Sequence, residues 1–371
     1  MKLKALIPVI ALLTLSCARI QPVEPEDSSS RIVFNRPFMG SRTRAIITGS
    51  SYPTTLNFRV WGYYSLTPDI NPANPVITGV FSGIEYIAGR ECVREDTYWV
   101  PTYTASDGNP GYYYWKSGGG YMTFHAMSPA SVIPGHSWET GFSLDSYTVE
   151  ASGDFTDLLY SHYTTPRQKS EYSEGDGVDI VFHHMLAAVK FIVRESSDFK
   201  DGGGNPSIKV KKLELMDAYR TGSFEENRAD GLLSAAYSAA PEWTPDVESQ
   251  HNYTLYQDAV GTALTWNSSL DKGNDIILAD PVLVLPQPLD HSADGKGKVA
   301  VRITYRVSGE SEDRTVSGTL SGLLDSGSNS ILTWDMGKRY TYAVLVGKHK
   351  ISFSPGVEDW DNGGEIWEFP E

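Results

Sequence analysis

Residues 299–307 read Val-Ala-Val-Arg-Ile-Thr-Tyr-Arg-Val, an alternation of apolar and polar side chains over nine positions. Successive side chains of a β-strand point to opposite faces, so this stretch predicts a strand with one buried face and one exposed face. A second alternating stretch lies at residues 340–346, and residues 282–285 form a short continuous apolar run. These patterns predict β-sheet in the C-terminal half.

The N-terminal half has the same character. Leu56, Phe58 and Val60 share one face of a predicted strand, and no window of twelve or more residues keeps a helical stripe. The chain contains 34 Gly, 21 Pro, 21 Tyr and 9 Trp, which is typical of turn-rich, aromatic β structure. We therefore expect an all-β fold of two tandem antiparallel β-sandwiches joined by a short linker.

The linker is predicted at residues 164–177, the longest polar stretch inside the folded region. The longest strand-like run, residues 178–194, follows it directly. The chain of 371 residues exceeds the roughly 100–200 residues of one typical domain. We place the N-terminal sandwich at residues 45–177 and the C-terminal sandwich at residues 178–371, each large enough for its own core.

The first sixteen residues have the pattern of a secretory signal peptide. Lys2 and Lys4 precede an apolar run at residues 5–15, which is too short to cross a bilayer as a helix. Residues 13–17 resemble a bacterial lipobox, which implies a lipid on Cys17 after removal of residues 1–16. The alternative is an ordinary cleaved signal with a coincidental cysteine.

Residues 17–44 are predicted to form a tether followed by a short strand. The tether combines Pro, acidic residues and Ser without periodicity. In the strand, Ile32 and Phe34 share a face. Arg42 and Arg44 follow in a Gly/Ser context, which predicts a protease-accessible link, the alternative being a charged hairpin.

Charge and motif content narrow the function classes. The chain has 31 basic and 46 acidic residues and a net charge of −15, so its surface would repel nucleic acid. It lacks the common hydrolase, nucleotide-binding and zinc-protease motifs. His183 and His184 are adjacent on a predicted strand and face opposite sides, which disfavours a shared metal ion. We expect no enzymatic activity, no metal and no cofactor.

The remaining cysteine and an aromatic cluster each leave two interpretations. Cys92 has no partner if Cys17 carries lipid, and an inward strand position is favoured over a reactive thiol. Tyr113 and Trp115 belong to an aromatic run at residues 112–115. They are candidates for stacking on glycans, although packing a loop onto the sandwich is the commoner use of such residues.

Several short motifs, taken in order, resemble the fimbrillin-like pilins, the type V pilus subunits of Gram-negative gut and oral bacteria. After the lipobox at Cys17 the motifs are TRA (43–45), FRVWGY (58–63), YWVP (98–101), MTFHAMSP (122–129), DLLY (157–160), FHHMLAAV (182–189), LPQ (285–287), WDMGKRYTY (334–342) and ISFSP (351–355). Each motif is weak alone, but together they extend over nearly the whole mature chain.

The resemblance implies two transthyretin-like sandwiches, export as a lipoprotein precursor and anchoring in the outer membrane through the lipid on Cys17. In that family an arginine-specific protease removes the N-terminal strand. The matching site here is between Arg44 and Ala45, with Arg42 as second choice. A strand from the next subunit then fills the open groove, because it pairs the exposed edge and covers the core. Residues 365–369 are a candidate donor strand.

The function implied is that of a structural or accessory subunit of a cell-surface fimbria that supports adhesion. Its implied partners are other pilin subunits, the outer membrane and a host or bacterial surface receptor. The alternative is an outer-membrane surface lipoprotein that binds glycans, through residues such as Tyr113 and Trp115, without polymerising. A secreted hydrolase would require a concave pair of carboxylates, which sequence alone does not single out.

Overall fold

The structure is a computed structural model that describes residues 31–39, 52–65, 84–116, 120–151, 156–173, 176–197, 208–227, 241–267, 272–325, 327–347 and 350–359. These residues form β-strands joined by turns, with short 3-10 helices at Lys169–Glu171 and Ser292–Asp294. No described residue is in an α-helix. A membrane-crossing helix is likewise absent from these ranges. The all-β prediction is confirmed.

The strands up to the middle of the chain are β1 Phe38–Met39, β2 Phe58–Ser65, β3 Ile84–Glu95, β4 Tyr98–Thr104, β5 Pro110–Tyr112, β6 Tyr121–Ser128, β7 Gly135–Ser137, β8 Gly141–Thr148, β9 Leu159–Ser161, β10 Val181–His184, β11 Ala187–Glu195, β12 Ile208–Tyr219 and β13 Thr221–Glu225. The later strands are β14 Glu242–Pro245, β15 Gln250–Ala263, β16 Trp266–Asn267, β17 Lys272–Gly273, β18 Val282–Val284, β19 Gln287–Pro288, β20 Ala300–Val307, β21 Arg314–Thr319, β22 Leu323–Leu324, β23 Ser330–Ile331, β24 Thr333–Trp334, β25 Lys338–Val346 and β26 Ile351–Asp359.

The first sheet has eight strands in the order β1-β10-β9-β6-β2-β3-β4-β5. Its neighbours are antiparallel except β1 and β10, which are parallel. Phe58 and Val60 of β2, which the sequence placed on one face, are both fully buried. They belong to the first core, which consists of Ile32, Phe34, Tyr52, Phe58, Val60, Ile87, Cys92, Trp99, Tyr113, Trp115, Met122, Phe124, Ala126, Leu159, Val178, Ile180 and Phe182.

The C-terminal half contains two four-stranded sheets, β18-β11-β25-β26 and β15-β12-β20-β21. The alternating stretch at residues 299–307 supplies β20, in which Val301, Ile303, Tyr305 and Val307 are buried and the intervening residues are partly exposed. Side chains from both sheets meet in one apolar cluster. The two-residue periodicity thus has a direct cause, since only one face of β20 packs against the other sheet.

A further sheet, β14-β13-β8-β7, joins strands from the two halves of the sequence. Its β8 precedes residue 177, whereas β13 and β14 follow it. The strand β10 also follows that position, yet it pairs with β9 of the first sheet. The chain passes from the first sheet to the C-terminal sheets between His184 and Ala187. Strand pairing therefore crosses residue 177, and the tandem two-sandwich arrangement stays a prediction.

The polar stretch predicted as a linker makes specific contacts at its ends. Arg167 forms a β-bridge with Met122, and Val178 forms a parallel bridge with Phe34. Both contacts are to the first sheet. Arg167, inside the predicted linker, and Val178, directly after it, therefore both pair with the first sheet before β10 begins.

Candidate functional site

Residues 31–39, called here the N-terminal segment, lie between two parts of the first sheet. On one side, the amide of Phe34 donates to the carbonyl oxygen of Trp99 at 2.9 Å, and the amide of Trp99 donates back at 3.0 Å. The amide of Ile32 donates to the carbonyl oxygen of Tyr113, also at 2.9 Å. This side of the segment is thus paired with β4 and with the chain just after β5.

The other side of the N-terminal segment pairs with residues 178–182. The amide of Asn35 donates to the carbonyl oxygen of Val178 at 2.9 Å. The amide of Val178 donates to the carbonyl oxygen of Val33 at 2.8 Å. Further along the segment, the amide of Phe38 donates to the carbonyl oxygen of Ile180 at 2.9 Å. The segment therefore connects the two ends of the eight-stranded sheet and closes it.

Two side chains of the N-terminal segment fill the first core. Ile32 and Phe34 have no exposed surface. The ring of Phe34 makes edge contacts with Phe58 and Phe124, at centroid distances of 5.8 Å and 5.1 Å. Burial of each large apolar side chain is worth about 1.5–3 kcal/mol relative to exposure. The sequence prediction that these two residues share an inward face is consistent with this burial.

A side-chain amide fixes the register of the segment. Asn35 Nδ2 donates to the carbonyl oxygen of Gly177 at 2.9 Å and to Asp179 Oδ1 at 2.8 Å. The amide of Gly177 donates to Asn35 Oδ1 at 3.2 Å. A Cβ atom at position 177 would lie 2.7 Å from the Asn35 nitrogen and 2.9 Å from the Phe34 carbonyl carbon. The close approach of Gly177 to the N-terminal segment therefore requires glycine at this position.

The start of the segment is held by a surface contact. Arg31 Nη2 lies 2.9 Å from Glu95 Oε2, and its guanidinium carbon lies 3.6 Å from the centroid of the Tyr112 ring. Both charged side chains are partly exposed, so the ion pair contributes at most about 1 kcal/mol. The buried apolar side chains, rather than this pair, dominate the binding of the segment to the sheet.

The other predicted processing residues lie outside the described residues. These are Cys17, Arg42, Arg44 and Ala45, together with the candidate donor strand at residues 365–369. Lipidation at Cys17 and cleavage at Arg44 stay predictions.

Tyr113 and Trp115 are part of the first core and are only 4% and 9% exposed. Arg90 Nε donates to the Tyr113 hydroxyl at 2.9 Å, and the Tyr113 ring contacts Tyr103 edge-on at 5.3 Å. The Trp115 ring contacts Phe124 at 6.0 Å. Because other side chains cover these rings, their burial favours the packing interpretation over glycan stacking.

Neither Cys92 nor the histidine pair of His183 and His184 is in surroundings typical of a reactive or metal-binding site. Cys92 is a free, fully buried cysteine, and burial raises the pKa of its thiol well above the ordinary value, so the reactive thiolate is disfavoured. His183 and His184 occupy alternating positions of β10, and His184 Nδ1 lies 2.7 Å from Asp157 Oδ2. Within the described ranges, no group of three or more His, Cys, Asp or Glu side chains is arranged to hold a metal ion.

A buried network of polar side chains, which the sequence analysis did not predict, links the first sheet to β8 through Glu226, the residue after β13. His125 Nδ1 lies 2.9 Å from His136 Nε2, and His125 Nε2 lies 3.3 Å from Glu226 Oε2. The same Glu226 oxygen accepts a hydrogen bond from the Phe142 amide at 2.8 Å. His125 is fully buried and Glu226 is 1% exposed. The one local signal was a histidine inside the buried strand β6, and its partner Glu226 is distant in the sequence.

Comparison with known proteins identifies a matching family and a solved structure of similar fold. The sequence model of the fimbrillin-like family matches residues 83–360. Curated protein sequences give no significant match. A solved fimbrial protein from Bacteroides vulgatus is similar over 89% of this chain and 99% of its own, at 14% identity and a TM-score of 0.52. A candidate cell adhesion protein from Bacteroides uniformis is similar over 89% of this chain and 99% of its own, at 14% identity and a TM-score of 0.45.

The sheets and the closing N-terminal segment define an all-β protein, and the similarity to the Bacteroides vulgatus structure indicates a shared fold with a fimbrial protein. Since the family match extends over most of its length, the chain belongs to the fimbrillin-like family. The resemblance inferred from the sequence motifs is confirmed. The N-terminal segment itself precedes the matched range.

Proposed function

We propose that the protein is a structural or accessory subunit of a cell-surface fimbria that supports adhesion and acts without catalysis. It would be exported as a precursor, carry lipid on Cys17, reach the outer membrane and be processed after Arg44. Family membership supports the fimbrial role. The assembly step is supported by the backbone pairing of the N-terminal segment on both of its sides. The segment ends five residues before Arg44.

Cleavage between Arg44 and Ala45 would leave the N-terminal segment attached only by noncovalent contacts. When it departs, the backbone groups of Trp99 and Val178 lose their partners and the space of Ile32 and Phe34 opens. A strand from a neighbouring subunit would restore both. Each net backbone hydrogen bond is worth about 0.5–1.5 kcal/mol, and each large buried side chain about 1.5–3 kcal/mol. Exchange is thus favourable once the incoming strand matches the groove.

The experiment treats the purified precursor with an arginine-specific protease and follows two readouts. Sequencing of the new N-terminus locates the cut, and SDS-resistant ladders report assembly. We expect wild type to begin at Ala45 and to form ladders. The Arg44→Gln variant should do neither, whereas Arg42→Gln, the matched control, should behave like wild type.

Two results would contradict the proposal. Ladders formed by uncut Arg44→Gln would separate assembly from cleavage at this residue. A cut chain that loses residues 17–44 and stays monomeric at high concentration, also when mixed with other fimbrial subunits, would contradict strand exchange. The better explanation would then be a surface lipoprotein that binds glycans without polymerising.

A further inference from the structure

A groove in the first sheet holds the N-terminal segment, and its rim binds the side chain of Asn35 at three points. Asn35 Nδ2 donates to the carbonyl oxygen of Gly177 at 2.9 Å and to Asp179 Oδ1 at 2.8 Å. The amide of Gly177 donates to Asn35 Oδ1 at 3.2 Å. We call the three partner groups, the Gly177 carbonyl oxygen, the Gly177 amide and the Asp179 carboxylate, the amide site. They stay in the chain when residues 17–44 are removed.

The amide site is complementary to one kind of side chain. A carboxamide carries two N–H donors and one acceptor oxygen, which is the set that two acceptors and one donor require. A carboxylate has no donor for the Gly177 carbonyl oxygen and would place a second negative charge beside Asp179. An apolar side chain would leave the polar groups of Gly177, a buried residue, without partners. Glutamine carries its carboxamide one methylene further from the backbone, so asparagine has the matching length.

The amide site lies at a fixed step from the two apolar positions of the segment. Ile32 and Phe34 are fully buried, and Asn35 follows directly on the other face, because successive side chains of an extended strand alternate. Backbone bonds between Phe34 and Trp99 fix this register. On the other side, the Asn35 amide donates to the carbonyl oxygen of Val178 at 2.9 Å. A strand that enters in the same direction is therefore matched when an apolar, a variable and an apolar residue precede asparagine.

We propose that the vacated groove is selective for a strand of another subunit in which two large apolar residues, two positions apart, are directly followed by asparagine. The inference rests on the proposed strand exchange and names the chemistry of the strand that is accepted. Such a strand runs in the direction of residues 31–39, fills the space of Ile32 and Phe34, and places its carboxamide in the amide site.

The candidate donor strand at residues 365–369 meets these requirements only in part. Trp367 and Phe369 supply an apolar pair, but the next residue is Pro370. Proline has neither a carboxamide for the amide site nor a backbone N–H for the carbonyl oxygen of Val178. A strand with asparagine at this position should therefore displace residues 365–369 from the groove.

The test measures competition for the groove of the chain cut after Arg44, with the protease inhibited before peptide is added. A fluorescent peptide with the sequence of residues 31–39 is the probe, and its anisotropy reports binding. The unlabelled competitors are the same peptide, its Asn35→Asp and Val33→Thr variants, and a peptide of residues 365–371. We expect the Asn35→Asp and 365–371 peptides to bind about ten-fold or more weakly than the unchanged peptide, because buried polar groups stay unpaired. Val33→Thr is the matched control; it keeps the β-branched shape at a half-buried position and should change affinity less than about three-fold.

A variant of the protein tests the charge contact in the opposite sense. In Asp179→Asn, the new side-chain amide can donate to the carboxylate of the Asn35→Asp peptide or accept from the unchanged peptide. The preference for the unchanged peptide over the Asn35→Asp peptide should therefore fall by about five-fold or more. If Asp179 served only to stabilise the sheet, both peptides would weaken equally.

Hydrogen exchange in the uncut chain separates the amide site from strand exchange. Asn35→Asp should accelerate exchange of the Phe38 amide, and the addition of Asp179→Asn should slow it again. Thermal melting checks that each variant is folded. If neither change occurs, the amide site is refuted whatever the peptides do.

The peptide results decide the rest. Equal binding of the Asn35→Asp or 365–371 peptide, or an unchanged preference in folded Asp179→Asn protein, would overturn the proposal while strand exchange stands. Failure of every peptide to enter the cut chain would overturn strand exchange and this proposal with it.

Discussion

Phe34 and Trp99 exchange a reciprocal pair of backbone hydrogen bonds, at 2.9 Å and 3.0 Å, although they are far apart in the sequence. The pairing places the start of the chain against β4, while Val178 occupies the other side of the same residue. An antiparallel contact on one side and a parallel contact on the other make Phe34 an interior position of the sheet. Loss of this segment would therefore open the sheet rather than trim its edge.

Replacement of Phe34 by alanine should destabilise the uncut protein by about 3–5 kcal/mol, the usual cost of removing a buried phenylalanine ring. The ring is fully buried between Phe58 and Phe124, so the cavity left behind cannot fill with water easily. Urea unfolding measures the change. Val33→Ala, at a half-buried position of the same segment, should cost only about 1 kcal/mol. Equal effects of the two variants would refute the assigned faces.

Gly177→Ala should loosen the N-terminal segment specifically. The new methyl group would overlap the Asn35 backbone nitrogen and the Phe34 carbonyl carbon, and overpacking of this kind costs about 1–3 kcal/mol. Hydrogen exchange of the Phe34 and Phe38 amides should accelerate relative to the C-terminal sheets. Gly356→Ala is the control, because a Cβ there meets nothing within 4 Å. Unchanged exchange in the Gly177 variant would contradict the described contact.

Glu226→Ala should cost about 1–3 kcal/mol, because it leaves the buried Phe142 amide without its acceptor and removes the carboxylate beside His125. Glu226→Gln should cost less, since an amide oxygen can still accept from Phe142. The neighbouring Glu225→Ala, at an exposed position, should change stability by no more than about 0.5 kcal/mol. Thermal and urea unfolding test the order of the three variants.

The Glu214 carboxylate should make stability depend on acid pH. Arg302 binds it through two nitrogens at 2.8 Å and 2.9 Å, and these bonds, with help from Lys212, lower the pKa of Glu214 from 4.5 to about 2. A lowered folded-state pKa contributes stability that is full above pH 4.5 and is lost as the pH falls towards 2.

Glu214→Gln should therefore lose about 1–2 kcal/mol near neutral pH, a value reduced for the partial exposure of Arg302 and Lys212. The deficit relative to wild type should shrink as the pH is lowered from 4.5 towards 2. Urea unfolding at several pH values measures it. Glu312→Gln, an exposed acid, controls for the loss of one negative charge. A deficit independent of pH would be inconsistent with an ionised Glu214.

Cys17→Ser should abolish palmitate labelling in cells and leave an unprocessed precursor, because the thiol is the predicted site of lipid attachment. Cys92→Ala is the matched control. This variant should still be labelled on Cys17, since Cys92 is buried in the first core and is not the predicted site of lipid attachment. Labelling that survives the Cys17 substitution would rule out the lipoprotein prediction.

The sequence alone determined the all-β fold and the family. The alternation of apolar and polar residues along 299–307 was sufficient to predict β20, because the period of side-chain direction in a strand is a local property. The motifs, taken in order, were sufficient to identify the fimbrillin-like family. The sequence model of that family matches residues 83–360. The shared inward face of Ile32 and Phe34 could be read from the same periodicity.

Only the tertiary structure decided which strands are neighbours. Nothing in the local pattern pairs Phe34 with both Trp99 and Val178, or brings Glu226 to His125, because these contacts join residues far apart in the chain. The same limit explains why residue 177 looked like a boundary. A polar stretch followed by a long strand-like run is the local signature of a linker, whereas the pairing of β10 with β9 depends on the arrangement of the whole sheet.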